Sequence, residues 1–153
     1  MIQAKFKLTE ETIMVNGKPL YRIEALRDFA DVKKGDKGGF IENESNLSQS
    51  DDCWVYDNAQ VRDNAKVFGD AMVYGNAKVY GSAMVRGNAV VYGHAKVYGD
   101  VEVCGNAEVY DDAEVYGHAV VCGYTKVYDN AEVSDNAWIC EDVIVCDNTK
   151  ICE

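Results

Sequence analysis

Two histidines, His94 and His118, six cysteines and a few paired carboxylates are the side chains in this 153-residue sequence with the widest chemistry. A histidine held beside an acceptor can serve as a general base. Cys104, Cys122 and Cys140 stand eighteen residues apart, a spacing at which thiolates could form a ladder for a soft metal. Tetrahedral metal sites want convergent ligands, which a straight column does not supply, so reduced thiols are expected and no metal. Asp51-Asp52, Asp111-Asp112 and Glu141-Asp142 could hold calcium loosely, but none stands in an EF-hand type of loop. The glycines at 35, 38 and 39 lack the Gly-Lys-Ser/Thr of a phosphate loop, and no Gly-x-Gly-x-x-Gly follows a strand. What these groups can do depends on what positions them.

Position is set by a six-residue repeat that runs from Cys53 to the end about seventeen times without insertion. In Ala71-Met72-Val73-Tyr74-Gly75-Asn76 the first four residues alternate inward and outward and the last two turn the chain. The first place is Ala except at Cys53, Val101, Thr125, Val143 and Thr149. The third is Val except at Ile139 and Ile151. One small and one β-branched residue per unit suit a narrow apolar core. A flat meander joined by two-residue hairpins would leave that Ala/Val face uncovered, and the Asp-Asn turns at Asp57, Asp63, Asp129 and Asp135 lack the usual hairpin Gly. Three units closing a triangular coil of eighteen residues would bury the face against itself. Both histidines fall at the sixth place, on exposed corners four units apart.

The run Val-Tyr-Gly-Asn-Ala-Lys-Val-Tyr-Gly at 73–81 resembles the hexapeptide repeat of the left-handed parallel β-helix family. The resemblance implies an all-β, left-handed triangular solenoid over 47–153, with 1–46 as an N-terminal capping segment built on a short β-hairpin. Leu20 to Phe29, Asp31 to Asp36 and Gly38 to Glu42 resemble the leader of bacterial and phage hexapeptide-repeat proteins that are labelled transferases on fold alone. In the family's acyltransferases a histidine acts as base in a cleft between subunits and a projecting loop helps hold the acyl carrier. His94 and His118 are the candidates for that role. No loop interrupts the repeat, so the leading reading is non-catalytic, with an intersubunit acyltransferase as the alternative. No cofactor is expected.

Within the capping segment, Lys5 to Leu8, Ile13 to Val15 and Leu20 to Glu24 read as strands, with Asn16-Gly17 as a hairpin turn. Ala25 to Ala30 reads as a helical turn and Gly35 to Gly39 as a loop. The segment is expected to cover the open end and strand edge of the first coil.

Folding the sequence at eighteen sorts its outward residues onto three faces. One carries Tyr56, Tyr74, Tyr92, Tyr110 and Tyr128 in a column, beside Trp54, Met72 and Val90. Such a strip marks an interface, and relatives by resemblance form trimers, so a homotrimer or homodimer through this face is expected. A second face carries Gln60, Lys78, Lys96, Glu114 and Glu132 beside Tyr80, Tyr98 and Tyr116. The net charge of −11 falls wholly after residue 99, where thirteen acidic side chains face two basic ones. Asp111, Asp112, Glu114, Glu132, Asp135, Glu141 and Asp142 form the expected acidic surface, whose role is either to keep the C-terminal edge from pairing or to meet a basic protein, as in a phage inhibitor of a host protein. Direct nucleic-acid binding is disfavoured by the missing basic footprint. No apolar run is long enough for a signal peptide or membrane span, so the cytoplasm is the expected location. The sequons at Asn43 and Asn46 are then accidental.

Overall fold

The computed structural model describes residues 4–152. Three parallel sheets wind into stacked coils, and strands eighteen residues apart pair in register: Val90 lies opposite Met72 and Glu108, Lys96 opposite Lys78 and Glu114, and Glu102 opposite Met84 and Val120. The fold is a left-handed parallel β-helix of about six turns. Most repeat strands are two residues long, such as Met72–Val73 and Lys78–Val79. Their backbone groups bond to the next coil, as in Tyr74 N–H to Val91 O at 3.0 Å. The inward Ala and Val columns are buried throughout the central coils. Thr125, an inward exception, satisfies its hydroxyl by donating to Glu141 O at 2.6 Å.

Apart from the corner at Glu141, the described corners turn on their fifth residue, which takes a positive φ of 56–79° whether it is Gly or Asp. Asp tolerates this left-handed region better than most residues. It also adds a bond between coils: the Asp57 carboxylate accepts from Gly75 N–H at 3.1 Å, Asp63 from Gly81 N–H at 3.1 Å, Asp111 from Asp129 N–H at 3.2 Å and Asp129 from Asp147 N–H at 3.0 Å.

At the N-terminus, β1 (Phe6–Val15) and β2 (Lys18–Ala25) form an antiparallel hairpin. Asn16 and Gly17 both have positive φ, as a tight two-residue hairpin turn requires. The expected break between Leu8 and Ile13 is instead a bulge inside one continuous strand. β2 pairs antiparallel with β3 (Lys37–Ile41), and β3 pairs parallel with Gln60–Val61, so the hairpin extends one sheet of the solenoid to nine strands. Gly38 and Gly39 therefore lie in a strand and not in a loop. A Cβ there would come within 2.5 Å of Val55 O or 2.6 Å of Ala59 O, so only glycine lets β3 lie this close to the coil.

The expected helical turn at 25–30 is likewise absent: Phe29 and Val32 exchange backbone bonds of 3.0 and 2.7 Å across a tight bend, with Ala30 at positive φ. This bend places Phe29 against Trp54, with ring centroids 5.2 Å apart, while Phe6 packs on the indole at 6.2 Å. The buried ammonium of Lys5 is satisfied by Cys53 O at 2.6 Å and by Ser50 O and Asp51 O at 3.3 Å. The segment thus closes the first coil. Asn46 is buried, its amide donating to Ala65 O at 2.8 Å and accepting from Asn43 N–H at 2.8 Å, so that sequon is inaccessible.

Candidate interaction surfaces

On the six-stranded sheet the fourth residue of each unit points outward, and five of these are the tyrosine column. Parallel, in-register strands repeat every ~4.8 Å, which is also a comfortable stacking distance for aromatic rings. Tyr74, Tyr92, Tyr110 and Tyr128 accordingly stack at 4.8–4.9 Å and 3–5° between planes. Tyr56 ends the stack edge-on to Tyr74 at 6.2 Å, its hydroxyl donating to Asp31 at 2.9 Å. Burial, then the Glu108 carboxylate and the neighbouring phenols, push the Tyr92 hydroxyl up to about 12. Burial first, and then the Asp31 bond, raise Tyr56 further. Met72 and Val90 flank the column half-buried.

Trp54 does not belong to this surface. It is 1% exposed, because the Phe6 and Phe29 side chains of the cap cover what the repeat pattern marks as an outward place. The free strip therefore begins at Met72.

A second stack runs along the nine-stranded sheet. Arg62 lies over Tyr80 at 4.1 Å, and Tyr80, Tyr98 and Tyr116 follow at 4.8 and 5.2 Å. Tyr98 donates to Glu114 at 3.1 Å and Tyr116 to Glu132 at 2.9 Å. The Tyr116 phenol is raised chiefly by that bond, and the Tyr98 phenol by burial and then by its bond to Glu114. Glu114 and Glu132 are thus half-buried and engaged. The other expected acidic residues divide among three corners: Asp111 with Asp112, Asp135 alone, and Glu141 with Asp142, all exposed. Beyond Asp112 the first corner continues into Asp129 and Asp147, which with Cys146 bring three potential ligand atoms within 4.8 Å of one another.

His94 and His118 occupy different corners. His118 Nδ1 lies 3.4 Å from Asp100 with both side chains exposed, whereas His94 lines a groove beside Lys78, Lys96 and the hairpin. Within one chain the two imidazoles form no joint site.

The cysteine column differs from expectation. Cys122 and Cys140 form a disulfide across adjacent strands whose Cα atoms are 4.3 Å apart, because the eighteen-residue period stacks their side chains directly. Cys104 is free and buried, its thiol pushed up by burial against a smaller lowering from Arg86. Cys53 is also free and buried, beside Lys5. Lys5 gives no signal in the repeat phase, since it precedes it; burial draws its ammonium below the ordinary range, with Cys53 opposing.

Exposed apolar side chains gather at the C-terminal end: Trp138 is 76% and Ile144 62% exposed, in the last strands of their sheets. No helix among the described residues is long and apolar enough to cross a membrane. Compared with known proteins, the chain matches no family model and no curated sequence.

Proposed function

We propose that this chain is a non-catalytic interaction module of the hexapeptide-repeat family, a rigid rod that self-associates as a trimer or dimer through its tyrosine face and offers its acidic corners to a basic protein. The observation that carries this reading is the stacked column from Tyr74 to Tyr128, half-buried within one chain and flanked by Met72 and Val90. Its rings are fixed by their neighbours, so little side-chain entropy remains to be lost on association. Flat aromatic surface of this kind suits the centre of an interface.

Charge supports the second half of the reading. Asp111, Asp112, Asp135, Glu141 and Asp142 are exposed at the end of the rod away from the cap, where few cations screen them. A basic site on a host protein is the partner that such corners would fit, consistent with the resemblance of the leader to phage proteins. Binding of that kind weakens as salt rises.

Sedimentation or light scattering of wild type and of Tyr74→Asp/Tyr92→Asp tests the self-association. The expected result is a wild-type trimer or dimer that becomes a monomer in the variant. A wild-type monomer at every concentration, or an unchanged oligomer in the variant, would sink the assignment of the face.

A further inference from the structure

The same period that stacks tyrosines also stacks lysines. Lys78 and Lys96 are direct register partners on adjacent strands of the nine-stranded sheet. Like charges directly opposite one another in a sheet repel. Neither lysine forms an ion pair among the described residues, although Lys150, one column-step beyond Glu132, does. The next residue in the column, Glu114, accepts the Tyr98 hydroxyl at Oε1 and forms no ion pair with Lys96. Two lysines without an ion pair among the described residues therefore share one column in a protein whose net charge is −11.

They stand in a groove of about 590 Å³ between the sheet and the projecting hairpin. That volume is within the range of small-molecule sites. Its far wall is Arg22, fixed by bonds to Glu11 at 2.8 Å, Gly38 O at 2.7 Å and Asn58 at 3.1 Å and stacked 4.2 Å above Phe40. Glu11, the one carboxylate among the described residues that line the groove, is thereby neutralised. In the floor, one strand before Lys78, the buried Gln60 Oε1 has no hydrogen-bond partner. A buried acceptor without a donor is costly and calls for one.

We infer that this groove binds a small molecule carrying a phosphate monoester beside a hydroxyl: Lys78 and Lys96 hold the dianion and the hydroxyl donates to Gln60 Oε1. Lysine ammoniums act as point charges for phosphate, and two of them match its double charge. Every residue of the site comes from one chain, so it goes beyond the proposed self-association and does not depend on it.

Calorimetric titration of the full chain with inorganic phosphate and with glycerol 3-phosphate, with glycerol as the uncharged control, tests the site. Saturable binding is expected for both phosphates, tighter for the ester, and none for glycerol. Lys78→Gln/Lys96→Gln should weaken both by about tenfold or more. Lys66→Gln/Lys126→Gln, on the other two sheets, should change neither, and Tyr74→Asp/Tyr92→Asp should bind as wild type. Gln60→Leu should abolish the preference for the ester while keeping phosphate. Absence of saturable binding, equal affinity in Lys78→Gln/Lys96→Gln, or an equal loss in Lys66→Gln/Lys126→Gln would overturn the site. A preference that survives Gln60→Leu would overturn the role of the hydroxyl.

Discussion

Each corner residue carries a conformational and a bonding task, and the two can be separated by substitution. Asp111 holds φ 56° and accepts from Asp129 N–H. Asp111→Ala loses both the tolerance of the left-handed region and the inter-coil bond, so it should destabilise by roughly 1–3 kcal/mol. Asp111→Gly should recover part of that loss, since it restores the first and not the second. Denaturant melts of the two variants check the order. In the core, Val97→Ala deletes two buried methyl groups and should cost about 2 kcal/mol. Inward and outward places were legible residue by residue from the six-residue period. The period marks Trp54 as outward, yet Phe6 and Phe29, which lie outside that period, bury it. The eighteen-residue spacing made Cys122 and Cys140 neighbours on paper, but adjacency alone does not say whether two sulfurs bond. The structure predicts four free thiols, at Cys53, Cys104, Cys146 and Cys152, when the unreduced, unfolded protein is titrated; six would contradict the pairing.

Strand stacking turns single tyrosines into ladders whose phenols share one direction of shift. Those of Tyr74, Tyr92 and Tyr110 are all raised, first by burial and then by carboxylates nearby, chiefly Glu108. A phenol raised in the folded state stays neutral there after it has ionised in the unfolded chain. The stabilisation is therefore complete below the ordinary tyrosine value of about 10 and declines as pH rises from there toward about 12, the value of Tyr92. Melts across that window should fall more steeply for wild type than for Tyr92→Phe. A parallel fall would contradict the ladder's contribution. The repeat strands and their faces were readable from sequence because each repeats the same inward residues at a fixed offset. The cap was readable only in outline. Its bulge, its bend at Phe29 and the packing of Gly38 and Gly39 under the first coil arise from contacts with the solenoid, which local propensity does not contain. The groove shows the same division: the Lys78 and Lys96 column was evident from the period, whereas the Arg22 wall depends on where the hairpin joins the sheet.

Taken whole, the rod is covered by its cap at one end, and its negative charge is concentrated toward the other. The cap hides Trp54 and pairs one edge of the first coil, while the last strands leave Trp138 and Ile144 in solvent among acidic corners. The proposed self-association uses a side of this rod. Of the three sides, the six-stranded sheet carries the longest stack of rings. The most direct test of that assignment is photo-oxidative dityrosine coupling on a mixture of isotopically light and heavy chains, with the linked peptides identified by mass. Side-by-side packing through this face predicts mixed light–heavy links among Tyr74, Tyr92, Tyr110 and Tyr128. Links confined within single chains, or mixed links only among Tyr80, Tyr98 and Tyr116, would contradict it.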